Sequence, residues 1–366
     1  MDAPRALPRL RWDLFCRVVD NHGDLGVAWR LARRLDALGQ RVRLWIDDAR
    51  ALRWMAGEGE PRRIDVRPWA APPAELADVI VETFGADLPD GWLQRMATAT
   101  KRPVWIDVEY LSAERYVERS HGLPSPQSQG PGAGLTRWFF YPGFTPRTGG
   151  LLLGRADAQA GHAALGRLGL GPFDGFEVSL FGYAQPQLEA AIAAWRRSPT
   201  RVLACPGPAA DQLAARLGVG PTPGSHARLD RLVVHWLPWL PQPDYDALLA
   251  ACDLNLVRGE DSFVQALACG RPFIWQLYRQ DDGAQAAKLE AFLQLYLADV
   301  SGPLPASLRA CFRAWNGEAA EFAPPEASGT SPWRQHAAAF ARSLHDAQAQ
   351  RGDLGLQLLR FALSRH

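Results

Sequence analysis

The chain has 366 residues, 47% of them hydrophobic, and a formal net charge of +1. That length suits two domains of ordinary size, and the apolar content is too high for a disordered chain. A charge so close to zero supplies no bulk attraction to nucleic acid or to a membrane surface.

The first half alternates strands and helices. Residues 11–19 read as a strand, and Val27, Leu31, Leu35 and Leu38 mark a helix by their i, i+4 spacing. Gly39 stops that helix, and 42–46 is the next strand. An apolar strand over 77–84 ends at Gly85, 92–98 is helical, and 103–108 is again a strand. Such alternation predicts a parallel sheet with helices on both faces. The run 121–134 breaks the rhythm with Pro124, Pro126 and Pro131 among Ser, Gln and Gly, and reads as a mobile surface loop. Trp138, Phe139, Phe140 and Tyr141 follow as a buried strand and turn.

A second alternating series begins near Phe173. Strands are predicted at 177–181, 202–205, 232–236, 254–257 and 272–277, with helices at 187–195, 209–217, 245–251 and 262–269. The closing stretch 331–365 carries Ala and Leu at helical spacing. The fold class is α/β, with two Rossmann-like doubly wound domains in tandem. Residues 1–170 form the first and 171–335 the second, and 336–366 form a helical segment packing back toward the first.

Five cysteines, odd in number and scattered, fit reduced thiols in a cytoplasmic protein. There is no C-x-x-C pair and the eight histidines lack metal spacing, so neither a structural zinc nor metal dependence is indicated. No apolar run approaches the roughly 20 residues that span a bilayer, and the N-terminus has no signal-peptide core.

Two turns carry the chemistry. The first is Val18-Val19-Asp20-Asn21-His22-Gly23-Asp24-Leu25-Gly26, where the first strand hands over to the first helix. Ligands of open α/β sheets gather at such carboxyl ends. Gly23 and Gly26 do not make a G-x-G-x-x-G fingerprint, and anionic Asp20 and Asp24 would repel a pyrophosphate. They suit a cationic or protic group, as bases or ion-pair partners, or they are an ordinary cap and a turn aspartate. The second turn is Asn255-Leu256-Val257-Arg258-Gly259-Glu260-Asp261-Ser262. Asp261 or Ser262 suits an N-cap, the helix start beyond it suits phosphate oxygens, Arg258 suits bidentate pairing, and Glu260 suits sugar hydroxyls. The bland alternative is a capped helix with an Arg258–Glu260 surface pair. Phe181, Tyr183, Trp239, Tyr245 and Tyr278 lie near strand ends, where a flat base could stack, and Gln242 suits its edge. Each of these is also a natural core residue.

These segments together resemble the EarP family of protein-arginine rhamnosyltransferases. The resemblance rests on Phe15-Cys16-Arg17-Val18-Val19-Asp20-Asn21-His22-Gly23-Asp24-Leu25-Gly26-Val27 and Glu109-Tyr110-Leu111-Ser112-Ala113-Glu114. It continues through His121-Gly122-Leu123-Pro124, Tyr141-Pro142-Gly143-Phe144-Thr145 and Thr148-Gly149-Gly150-Leu151. Arg258-Gly259-Glu260-Asp261-Ser262-Phe263-Val264 is its most specific piece. The order is kept from about residue 10 to residue 300.

The resemblance implies a GT-B glycosyltransferase fold, its two domains facing across a cleft. It implies an inverting, metal-independent transfer of rhamnose from TDP-β-L-rhamnose to one arginine of translation elongation factor P, with no cofactor and no nucleic-acid or membrane partner. By the same resemblance Asp20 is the general base, Asp24 a second required aspartate, and Glu260 the donor-site glutamate. Asn21, beside Asp20, touches the sugar, and Gly23 is a further substrate-binding residue of the same turn. Arg258, Asp261 and Ser262 are diphosphate contacts, and Gly259 is a substrate-binding residue of the same turn. Phe181, Trp239, Gln242 and Tyr245 line the nucleotide pocket, with Tyr278 near the diphosphate and Tyr183 a further substrate-binding residue. Departures are Gln276 where His is usual, Trp239 where Phe is common, Gly182 between Phe181 and Tyr183, and the absence of the usual Asn and His within 281–285. Two rivals are a sugar-nucleotide epimerase of the same fold and a non-enzymatic, nucleotide-regulated binding module.

Overall fold

The computed structural model describes residues 7–18, 22–57, 63–69, 72–73, 75–154, 158–279, 283–302, 304–318, 341, 346 and 352–366. It comprises two compact units, Met1–Leu152 with Arg351–His366, and Leu153–Gln350. No helix among the described residues is long and apolar enough to cross a membrane.

The first unit runs β1 (Arg11–Cys16), α1 (Gly23–Ala37), β2 (Arg41–Ile46), α2 (Leu52–Met55), β3 (Asp65–Pro68), β4 (Val79–Thr83), α3 (Asp90–Ala97), β5 (Val104–Val108), α4 (Arg115–Ser120), β6 (Pro124–Pro126) and β7 (Thr136–Phe140). Its seven strands lie in the order β3-β2-β1-β4-β5-β7-β6. All pairs are parallel except β6 with β7. The order reverses between β1 and β4, so the carboxyl end of β1 opens at the switch point where ligands of such sheets bind.

Strand period sorts β1 onto two cores. Trp12, Leu14 and Cys16 join α1 on one face, while Phe15 joins Trp45 and Trp92 on the other. Leu25, Leu31 and Leu35 of α1 are fully buried, each contributing about 1.5–3 kcal/mol of transfer energy. Asp13 is buried too, but Arg43 directly opposite on β2 bonds it at 2.6 and 2.7 Å, and the Trp45 indole N–H donates to it at 2.8 Å. The C-terminal helix, Leu354–Leu363, belongs to this unit. Asp353 caps it by accepting from the Leu356 N–H and bonds Arg34 of α1, and Leu354, Leu358, Leu359 and Ala362 enter the β1 core.

The second unit runs α5 (Ala158–Arg167), β8 (Phe176–Leu180), α6 (Leu188–Trp195), β9 (Thr200–Ala204), α7 (Pro208–Leu217), β10 (His226–Leu229), β11 (Leu232–Trp236), α8 (Gln242–Ala251), β12 (Leu254–Arg258), α9 (Asp261–Ala268), β13 (Phe273–Gln276), α10 (Ala284–Tyr296) and α11 (Leu304–Trp315). The strand order is β10-β11-β9-β8-β12-β13, with only β10 antiparallel. The switch point falls between β8 and β12.

Three readings change. The boundary between units follows Leu152 and not residue 170, because α5 packs on α8: a Cβ added at Gly161 would stand 2.0 Å from the Ala247 carbonyl. The Pro-rich run 121–134 contains strand β6, and Gln127 N–H donates to the Leu135 carbonyl to close its hairpin with β7. Proline, which cannot donate to a ladder, is tolerated on such an edge. β1 stops at Cys16, three residues early, as the Val18 N–H turns to the Asp47 carboxylate at 3.0 Å. The helical pattern over 331–365 falls largely outside the described residues, apart from the C-terminal helix.

Candidate active site

In the first unit, Asp20 and Asn21 lie outside the described residues. Asp24 occupies the first turn of α1 and is 7% exposed. A carboxylate there is favoured by the partial positive charge of the helix start. It does not cap the helix: the N-cap is His22, whose ring meets Trp54 edge-on at 5.6 Å and makes no capping bond. Burial, and secondarily Asp24, push the Cys16 thiol up to about 12, so Cys16 is a packed thiol. A Cβ at Gly23 would meet nothing within 4 Å, so close packing does not require glycine there.

The neighbouring strand ends carry an acidic group that pattern reading missed. Glu82 of β4 and Asp107 of β5 are register partners, and both are buried. Arg137 of β7 reaches both, at 3.5 and 3.4 Å, with its guanidinium 5.7 Å from the centre of the Trp105 ring and 5.2 Å from that of Phe139. Two buried carboxylates share one cation. Burial first, then Glu82 and Glu109, push the Asp107 carboxyl up to about 7, and burial raises Glu82 and Glu109 as well. Beside them Phe84 adopts a φ of +59°, a costly conformation for a bulky residue. Its ring stacks on exposed Tyr110 at 4.6 Å. An ionisable residue inside an otherwise apolar strand was the available signal, in Val-Ile-Val-Glu82 and Trp-Ile-Asp107.

The second unit gathers most of its predicted residues around Arg258, the last residue of β12. Only 8% exposed, its guanidinium lies 4.6 Å from the centre of the Phe181 ring and 4.7 Å from that of Tyr183, both just beyond β8. Arg258 Nη1 is buried with no hydrogen-bond partner among the described residues. Gly207, at the start of α7, lies beside it: a Cβ there would stand 3.7 Å from Arg258 Nη2, an ordinary contact. Phe181 also meets Tyr245 of α8 at 5.8 Å, and Tyr183 meets exposed Tyr278 at 5.5 Å. Gln242, the first residue of α8, reaches Asp261 at 3.4 Å. Trp239 sits on the turn before α8 and is 41% exposed.

Two expectations for this turn are corrected. Arg258 does not pair with Glu260; the carboxylate of Glu260 bonds Lys288 of α10 at 2.7 Å. Neither Asp261 nor Ser262 caps α9. Glu260 holds the N-cap position without a side-chain capping bond, and the Ser262 hydroxyl donates back to the Arg258 carbonyl, the i−4 habit of serine inside a helix. Gln276, standing where His is usual, accepts from the Tyr183 N–H at 2.9 Å and donates to the Ala184 carbonyl at 3.4 Å, so it holds the loop that carries Tyr183. A Cβ at Gly182 would stand 3.0 Å from the Gln276 side chain and 3.2 Å from Ala209, which accounts for the glycine. Lys288 and Gly207 were not anticipated. Lys288 joins the site through tertiary structure alone, whereas Gly207-Pro208 after an apolar strand was a readable helix-start signal.

This arrangement has the chemistry that suits an anionic ligand. A desolvated guanidinium without a full set of acceptors favours a ligand oxygen over further burial unpaired. It stands at the carboxyl ends of β8 and β12 with the start of α9 beside it, in a setting of aromatic rings suited to a base. Among the described residues no group of three or more His, Cys, Asp or Glu side chains converges on one point.

The family described as "Elongation-Factor P (EF-P) rhamnosyltransferase EarP" matches residues 12–363. This chain belongs to the EarP family. It is 39% identical to a protein-arginine rhamnosyltransferase of Pseudomonas aeruginosa, over 96% of this chain and 98% of that one. It is similar, at a TM-score of 0.63 and 30% identity, to a structure solved for EarP-mediated arginine glycosylation of translation elongation factor EF-P, with 98% of this chain and 100% of that chain covered. It shares the fold of the kitacinnamycin glycosyltransferase at a TM-score of 0.54 and 17% identity, covering 99% of both chains. The two Rossmann-like units are those of the GT-B glycosyltransferase class.

Proposed function

We propose that this protein transfers L-rhamnose from TDP-β-L-rhamnose to an arginine side chain of translation elongation factor P, with inversion and without a metal ion, in the cytoplasm. The observation that carries the reading is Arg258, buried, ring-flanked and short of acceptors at the carboxyl ends of β8 and β12. The family and the relatives' activity supply the acceptor and the sugar.

In this reading the donor diphosphate takes the Arg258 guanidinium and the first N–H groups of α9, and Phe181, Tyr183, Trp239, Gln242 and Tyr245 receive the nucleoside. Glu260 accepts hydrogen bonds from the sugar hydroxyls. A guanidinium of pKa above about 12 is a poor nucleophile. Asp20 orients it, and takes its proton as the guanidine nitrogen forms a bond to the anomeric carbon. The anomeric C–O bond breaks on the opposite face, and TDP leaves with the electron pair. Arg258 and the α9 start stabilise the charge that grows on it. Asp24 supports the same turn from the first turn of α1.

TDP release separates this reading from its rivals. The proposal expects release only when elongation factor P is present, at a rate that a chelator leaves unchanged. Turnover of the sugar nucleotide without any protein acceptor would support the epimerase. Tight nucleotide binding with no turnover under either condition would support the binding module.

A further inference from the structure

Lys288 lies on α10, a helix whose Leu289, Phe292, Leu293 and Tyr296 are buried in the second unit. Its ammonium reaches the Glu260 carboxylate at 2.7 Å, with the two side chains only 23% and 18% exposed. The same ammonium stands 6.0 Å from the centre of the Trp275 ring. Trp275, on β13, donates its indole N–H to the Gly259 carbonyl at 2.8 Å and stacks flat on Phe263 of α9 at 4.0 Å. The turn before Glu260 is therefore gripped by β13 and α9, and its side chain by α10. Gly259 supplies the φ of +66° that such a turn needs.

Local rules do not account for this. Glu260 stands at the N-cap of α9, but its side chain makes no capping bond and reaches Lys288 of α10. A carboxylate offers acceptor sites on two oxygens. A half-buried ion pair with an aromatic ring at its back is also worth more than an exposed one.

We infer that Lys288 is a positioning residue for the donor sugar: it fixes the Glu260 carboxylate, as an acceptor, in the place where sugar hydroxyls are bound. The inference rests on the donor-site reading of Glu260. Lys288 acts through Glu260 and not on the diphosphate, whose cation is Arg258. The contribution of Lys288 therefore belongs to the sugar half of the donor alone.

Calorimetry with TDP and with TDP-β-L-rhamnose on the full-length protein tests this. Lys288→Met should bind TDP as the parent does and bind TDP-rhamnose about tenfold more weakly, the size of a lost hydrogen bond to a charged group. Lys288→Arg should restore most of the loss. Adding Lys288→Met to Glu260→Ala should cost nothing further. Equal affinity of Lys288→Met and parent for TDP-rhamnose would overturn the inference, and so would a parallel loss for both ligands, which would place Lys288 on the diphosphate or in the fold. If Glu260→Ala itself bound TDP-rhamnose normally, the donor-site reading of Glu260 would fail, and the inference with it.

Discussion

The guanidinium of Arg258 stands 4.6 Å from the centre of the Phe181 ring, at the point where β12 and β8 both end. β8 and β12 are neighbours across the switch point of their sheet. Parallel strands release their chains at the same edge, so residues 77 positions apart in sequence meet there. An arginine suits the place better than a lysine, because its planar head can lie against rings and still present several donors.

Removing that head should damage nucleotide binding first. Arg258→Ala should weaken TDP by about 2–5 kcal/mol, the range for truncating one partner of a buried charge pair, with an unchanged far-UV spectrum. Arg258→Lys should recover little, since a point charge cannot replace a stacked fork. Calorimetry checks both. Unchanged TDP affinity in Arg258→Ala would remove the diphosphate assignment.

Asp20→Asn keeps the size of the side chain and removes its basicity. Turnover should fall by about 10²–10⁴-fold, the usual contribution of a general base, while TDP affinity stays at the parental value. Rapid-quench single-turnover assays separate these quantities. Parental turnover would exclude Asp20 as the base.

Asp107 should make the stability of the first unit depend on pH. Its carboxyl is raised to about 7 in the folded protein by burial and then by Glu82 and Glu109, against about 3.9 in an unfolded chain. The native state therefore holds the proton more tightly. Nothing is lost while both states are protonated, and stability falls as pH rises from about 4 to about 7. Asp107→Asn abolishes this, so over that window its stability relative to the parent should improve, by about 1 kcal/mol per pH unit. Urea unfolding at pH 5 and pH 7 measures the change, and a constant difference would refute it.

Gly161 permits the contact of α5 with α8. Gly161→Ala pushes a methyl group toward the Ala247 carbonyl, 2.0 Å away, and toward the Ala251 methyl at 2.8 Å. Overpacking of this kind costs about 1–3 kcal/mol, or roughly 2–4 °C of melting temperature per kcal/mol in a unit of this size. Differential scanning calorimetry would show it, and an unchanged transition would mean that the two helices separate without cost.

Much of this was legible in the sequence because the determinants are local. Apolar period placed β1, α1, β8, β9, β11 and β12 within a few residues, and a strand-to-helix turn with charge on it marked Arg258–Ser262. What stayed hidden depends on partners distant in the chain. Pro124 and Pro126 look like loop residues until β7 is seen to leave them an edge. Glu260 looks like a partner for Arg258, two residues away, but the rings of Phe181 and Tyr183 hold Arg258 and α10 brings Lys288 to Glu260. Capping by Ser262 failed for a related reason, since its hydroxyl has a carbonyl four residues back to bond. The donor sugar and the acceptor protein came from family resemblance, because residue chemistry alone specifies only an anion, an aromatic base and a cationic or protic acceptor.

The most direct test is the intact mass of elongation factor P from the same organism after incubation with this protein and TDP-β-L-rhamnose. The account predicts a gain of one deoxyhexose, placed on a single arginine by fragmentation and absent with Asp20→Ala. An unchanged mass, under conditions where the protein binds the donor, would contradict arginine rhamnosylation of this acceptor.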